Sequence, residues 1–147
     1  MTDQPRRGQG LPDHRFRPTA RHDVTGLELS GDEAAGRVEQ KREERLPHTL
    51  AELRVLCDDA AKLAARGRAH FDADWGAKRI GKNLVTEVGE TATRLPASYR
   101  ADHPEIEWAF ISGIRNRVVH AYQDTDDGAV WDAIAVDIPD LRRALEL

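Results

Sequence analysis

The chain is poor in the residues that usually announce a chemistry. Cys57 is its single cysteine, and it has only three Trp, two Tyr and three Phe in 147 residues. One cysteine permits no intramolecular disulfide and no thiolate cluster for zinc, which points to a reducing compartment. The six histidines show no zinc-ligand spacing. No apolar run approaches the ~20 residues that span a bilayer, and no signal-peptide core is read at the N-terminus. The expectation is a soluble cytoplasmic protein with no membrane partner. No Walker-type loop and no dinucleotide glycine fingerprint occur, and no segment alternates as a strand between hairpin turns. No repeat period is present.

Charge and helical periodicity are what the chain does have. Charged residues make up 33% of it, and the formal net charge is −4. Residues 1–45 carry nine basic and nine acidic residues, so residues 46–147 hold the whole imbalance. An acidic domain is a poor non-specific binder of nucleic acid. A role on RNA would need a local positive field, from Arg115 and Arg117 and from Lys78, Arg79 and Lys82.

Residues 1–45 read as a disordered tail. Pro5, Gly8, Gly10, Pro12, Pro18, Gly26, Gly31 and Gly36 punctuate it, and large apolar residues are sparse. Such a segment buries too little surface to offset the entropy of ordering. A misassigned start is the other explanation. Arg6-Arg7 and Arg15-x-Arg17 read as part of a solvated tail.

From Leu46 the period is helical, giving one domain over residues 46–147. Leu46, Leu50, Leu53, Cys57, Ala60 and Ala64 form one stripe, with Pro47 in the first turn and Gly67 at the end. Ile80, Leu84, Val88, Thr91 and Leu95 form a second, closed by Pro96. A third helix runs from Trp108 to about Tyr122, with Gly113 either weakening it or allowing close approach of another helix. Asp126 or Asp127 caps a fourth, whose stripe is Val130, Ile134, Ile138, Leu141 and Leu145. Pro139 should kink or split that helix. Trp75, Trp108 and Trp131 border stripes and read as core anchors. Tyr99 receives no role. The expected fold is an all-α, up-and-down bundle of four to five helices behind the tail.

One helix carries the chemistry. Arg115, His120 and Tyr122 fall in the run Arg115-Asn116-Arg117-Val118-Val119-His120-Ala121-Tyr122. Arg115 and Tyr122 are seven apart and project within ~20° of each other on a helix. Asn116 and His120 are four apart and form an adjacent row. An arginine can clamp a phosphate, a histidine can move a proton, and a tyrosine can accept a modification. Taken singly, each has a plainer reading: a surface ion-pair partner, a hydrogen-bonded helix histidine and a half-buried tyrosine.

The surroundings of that run change the weighting. Asn83-Leu84-Val85-Thr86-Glu87-Val88-Gly89-Glu90 and Arg94-Leu95-Pro96 come first. Pro104-Glu105-Ile106-Glu107-Trp108 and Ile111-Ser112-Gly113-Ile114 lead into it, and Val130-Trp131 and Asp137-Ile138-Pro139-Asp140-Leu141 follow. In order and spacing these blocks, from about Leu46 to Leu147, resemble the HepT family of HEPN-type ribonuclease toxins with its Arg-x-x-x-x-His-x-Tyr motif. Gln123 stands where that family often has an aromatic, and residues 1–45 have no counterpart in it.

The resemblance implies a metal-independent endoribonuclease with no cofactor, acting on tRNA or mRNA. It further implies a homodimer in which two motif helices build a composite cleft. Arg115, Asn116 and His120 would be catalytic, with Arg117, Lys78, Arg79 and Lys82 contacting RNA. It also implies a nucleotidyltransferase antitoxin of the MntA type that adenylylates Tyr122. The alternative is a non-catalytic HEPN-type subunit that only docks a nucleotidyltransferase. Glu87 and Glu90 share a helix face, but the Glu-x-x-His partner segments of carboxylate-bridged metal bundles are missing, so no metal is expected.

Overall fold

The computed structural model describes residues 30–120 and 126–147. Among them are seven α-helical segments, one π turn and no strand. α1 spans Gly31–Ala64, α2 Arg68–Ala73, α3 Trp75–Thr93, α4 Ala97–Ala101 and α5 Trp108–His120. α6 (Asp127–Asp132), a π turn (Ala133–Asp137) and α7 (Ile138–Ala144) follow without a break. α1, α3, α5 and the α6–α7 unit make a four-helix arrangement, with α2 and α4 as short connectors. The all-α expectation holds.

α1 starts fifteen residues before the expected Leu46. Ser30 and Glu33 form a capping box: the Glu33 N–H donates to Ser30 Oγ at 3.4 Å, and the Ser30 N–H donates to Glu33 Oε2 at 3.2 Å. Asp32 and Glu33 in the first turn complement the helix dipole. The expected boundary after residue 45 thus falls inside a helix, and Pro47 is an interior residue rather than a first-turn one. Glycine and proline density hid the start, because a capping box satisfies helix-end donors whatever lies upstream.

The first turns of α1 are exposed, and its buried face begins at Thr49 and continues through Leu53, Leu56, Cys57, Ala60 and Leu63. Two glutamates tether the exposed part. Glu39 accepts from the Ala97 backbone N–H, and Glu43 accepts from Ser98 Oγ.

Gly67 ends the first helix at φ +89°, a left-handed value that L side chains rarely adopt. It leads into α2, which the periodicity did not reveal because its single core residue, Phe71, carries no stripe.

α3 is the centre of the bundle and packs on α1, α2, α5 and α6. Asp74 caps it, accepting from the Gly76 and Ala77 N–H groups at 2.7 and 3.3 Å. Leu84, Val88, Thr91 and Leu95 are buried as expected, but Ile80 is 53% exposed. The inward row runs back from Leu84 through Gly81 and Ala77. A Cβ on Gly81 would lie 2.9 Å from Phe71 Cε2 and 3.2 Å from Val130 Cγ1. Close contact there requires the absence of a side chain, so the large apolar residue one place away faces out.

The tryptophans divide. Trp108 and Trp131 pack against the core, whereas Trp75 is 75% exposed at the first position of α3, with the Arg79 guanidinium 5.7 Å from its ring. Trp75 is therefore not the expected anchor. The Trp131 ring meets Phe71 at 5.4 Å.

Every member of the fourth stripe is buried, and Asp126 caps α6 by accepting from Gly128 and Ala129. The expected break is the π turn, where the Ile138 N–H donates to the Ala133 carbonyl. Pro139 has no N–H to continue regular α bonding at this point.

Candidate functional site

α5 is held at its start by Trp108. The indole Nε1–H donates to the carbonyls of Arg100 (3.0 Å) and His103 (3.1 Å), fixing the helix against the α4 segment. His103 Nδ1 also meets Glu105 Oε1 at 3.0 Å, and the Glu105 carboxyl is held below its usual range by its own backbone N–H and by His103. Ile111 and Ile114 are buried, three apart, on the side that packs on α3. Asn116 is exposed. Position 120 is the next in its row on the helix.

The backbone of α5 is helical through His120, so positions 115, 116, 117 and 120 fall on one continuous helix. The spacing expected for Arg115, Asn116, Arg117 and His120 is thus the spacing of a regular helix. Tyr122 lies outside the described residues. A Cβ on Gly113 would meet nothing within 4 Å. Among the described residues no second helix approaches there.

Lys78, Arg79 and Lys82 lie in the first half of α3. Lys78 Nζ is 2.9 Å from Asp127 Oδ2, and Lys82 Nζ is 4.0 Å from Asp127 Oδ1. One carboxylate thus answers two ammonium groups at the start of α6 and leaves a net positive charge. Arg79 is drawn over Trp75 instead. Asp126 joins α6 to the end of α5 across residues 121–125, a connection whose covalent reach is at most ~20 Å. Lys78 and Lys82 therefore sit where the first half of α3 meets the start of α6.

Other nucleophiles are unsuited. Cys57 is buried, and burial pushes its thiol up to about 11, with Arg142 opposing and Asp58 adding to the rise. The thiolate is scarce at neutral pH. Tyr99 is half-buried against the core, its ring 4.7 Å from His103, and its hydroxyl is raised by burial and by Glu146. Glu87 and Glu90 are exposed beside Glu52 and Arg94 in a cavity of about 440 Å³. Among the described residues no group of three or more His, Cys, Asp or Glu is placed to hold a metal ion. No helix among them is long and apolar enough to cross a membrane.

One feature was missed in the sequence. A cavity of about 240 Å³ lies between α1 and the end of α3, lined by Lys41, Arg42, Arg45, His48 and Arg94 among others. Reading residues 1–45 as tail removed three of these from view. The Ser30-x-x-Glu33 signature and the helical spacing of Lys41 and Arg45 were the available signals.

Comparison with known proteins places the chain. It is 32% identical over 59 residues to a protein of Thermococcus cleftensis named probable ribonuclease HepT, covering 40% of this chain and 54% of that one. A Caldanaerobacter subterraneus protein bearing an RNase name is 29% identical over 59 residues, covering 40% and 53%. One from Methanocaldococcus jannaschii, also named as an RNase, is 27% identical over 59 residues, covering 40% and 51%. The chain spans about half the length of the curated relatives it matches. No solved structure matches it. The Ribonuclease HepT-like family matches residues 50–147, two thirds of the chain, from the second half of α1 onward, and the chain belongs to that family.

Proposed function

We propose that the protein is a metal-independent endoribonuclease toxin of the cytoplasm, cutting RNA through Arg115, Asn116 and His120. The observation that carries this reading is that Arg115, Asn116 and His120 fall on a single continuous helix within the family-matched residues. RNA brings its own nucleophile, the 2′-hydroxyl beside the scissile phosphate. The enzyme therefore needs proton transfer and charge stabilisation, and no serine or cysteine. His120 takes the 2′-hydroxyl proton, and the 2′-oxygen bonds to phosphorus as the 5′-oxygen leaves. Arg115 makes charge-assisted contacts to the phosphoryl oxygens. Asn116 holds the His120 ring or donates to the phosphate. Arg117, Lys78, Arg79 and Lys82 supply the flanking positive field, with Asp127 moderating it.

Cleavage should survive excess EDTA and leave a 2′,3′-cyclic phosphate. End-group analysis of the product checks both. A 3′-hydroxyl end, or activity lost to chelator and restored by added metal, would sink the mechanism.

The proposed active unit is a homodimer whose two-fold axis lies near α5. One copy has a single motif histidine, so a second copy supplies the acid that protonates the leaving 5′-oxygen. The open space at Gly113 suits close approach of the second α5. Mixed Arg115→Ala and His120→Ala chains should regain cleavage, because the heterodimer pools intact residues. A monomer in sedimentation at ~1 μM that still cleaves RNA would refute the composite site.

The proposed control is a nucleotidyltransferase antitoxin that adenylylates Tyr122. An AMP phosphate there would sit on the row of Arg115 and neutralise its charge. Cleavage by wild type but not by His120→Ala separates this reading from a non-catalytic docking subunit.

A further inference from the structure

We propose that the groove between α1 and the end of α3 is a second RNA-docking surface, which binds the phosphate backbone away from the cutting site. The proposal rests on the RNA reading above for its ligand and on an independent surface for its geometry. The groove is lined by Val38, Lys41, Arg42, Arg45, His48 and Arg94 and has a volume of about 240 Å³. On α1 these positions are three, four or seven apart, so they form one face of the helix.

The acidic residues of the same stretch are engaged with α4 or with neighbours on α1. Glu39 and Glu43 accept hydrogen bonds from Ala97 and Ser98 of α4, and Glu44 accepts from Gln40. Arg42 is 3.6 Å from Glu39, and Arg94 is 2.7 Å from Glu52. Lys41 and Arg45 have no carboxylate within ion-pair distance among the described residues, and both are exposed. They are four apart on the helix, an unfavourable like-charge pair unless an anion lies between them. In a chain with net charge −4, a face with two cations unpaired among the described residues is a local exception.

The chemistry fits a phosphate chain. Arg94 spends one terminal nitrogen on both Glu52 and Thr91, leaving other guanidinium donors for phosphate oxygens. Val38, 52% exposed, gives the groove an apolar edge for a ribose or base. Thr49 Oγ1 donates back to the Arg45 carbonyl at 3.1 Å beneath the groove.

The position also fits. Arg94 caps the C-terminal end of α3, while Lys78 and Lys82 lie toward its start. Lys78 and Lys82 precede Arg94 by sixteen and twelve residues, ~24 and ~18 Å along the helix axis. A strand of several nucleotides spans either distance, and a dinucleotide does not. The groove therefore selects for length, holding an RNA whose scissile bond reaches α5.

The test compares the full chain with its Lys41→Gln/Arg45→Gln variant. Fluorescence anisotropy with a long 2′-O-methyl oligouridylate, which resists cleavage, reads binding alone. Affinity should fall about tenfold, and the slope of log K against log salt should shrink by about 1.4, ~0.7 for each lost phosphate contact. Cleavage of a dinucleotide reporter should be unchanged, which also certifies the fold. Unchanged affinity and salt slope would overturn the proposal. So would variant binding that is lost for an acidic protein but intact for the oligouridylate. If wild type cuts no RNA while the variant still loses oligouridylate binding, the groove stands and the catalytic reading fails.

Discussion

Replacing His120 or Arg115 with alanine is expected to reduce RNA cleavage ~10²-fold or more and to relieve growth inhibition, with the helical content unchanged. In the proposed site His120 would contribute proton transfer and Arg115 charge stabilisation, so neither could substitute for the other. Single-turnover cleavage and growth curves at matched expression read the two effects together. A fully toxic variant at either position would remove that residue from the site. The fold should tolerate both changes, because the core that anchors α5 is made by Ile106, Ile111, Ile114 and the α3 residues they meet.

The largest expected effect on stability is at Phe71. It is 0% exposed, touches the Trp131 ring and fills the space that the missing Gly81 side chain leaves. Phe71→Ala should cost about 3–5 kcal/mol, the range for truncating a buried aromatic. Urea unfolding followed by circular dichroism measures it. A loss below ~1 kcal/mol would mean that α2 is not part of the cooperative core. The variant should also loosen α6, and with it the Asp127 carboxylate that sets the charge on Lys78 and Lys82.

The difference between these two residues shows what was legible in the sequence. The helices that bury large side chains at regular spacing were readable, and all five of Val130, Ile134, Ile138, Leu141 and Leu145 face inward. The helical spacing of Arg115, Asn116 and His120 was readable for the same reason, since a helix fixes spacing without reference to its neighbours. Phe71 was not, because a six-residue helix with one buried residue has no period. Ile80 misled because Gly81 makes its contact by absence. The first half of α1 was hidden because its stability comes from a cap and from tethers to Ala97 and Ser98, not from burial. Those tethers join residues more than fifty positions apart in sequence, which no local pattern encodes.

The π turn at Ala133–Asp137 has a geometric consequence for the segment around it. A regular helix completes a turn in 3.6 residues, so each four-residue step overshoots by ~40°. Val130, Ile134 and Ile138 are spaced by two such steps, and in an unbroken α-helix Ile138 would lead Val130 by ~80°. A turn closed by a bond reaching back five residues winds less per residue and cancels that drift. The loosened turn is therefore where the segment changes neighbours: α6 bears on α3, the π turn on both α1 and α3, and α7 on α1.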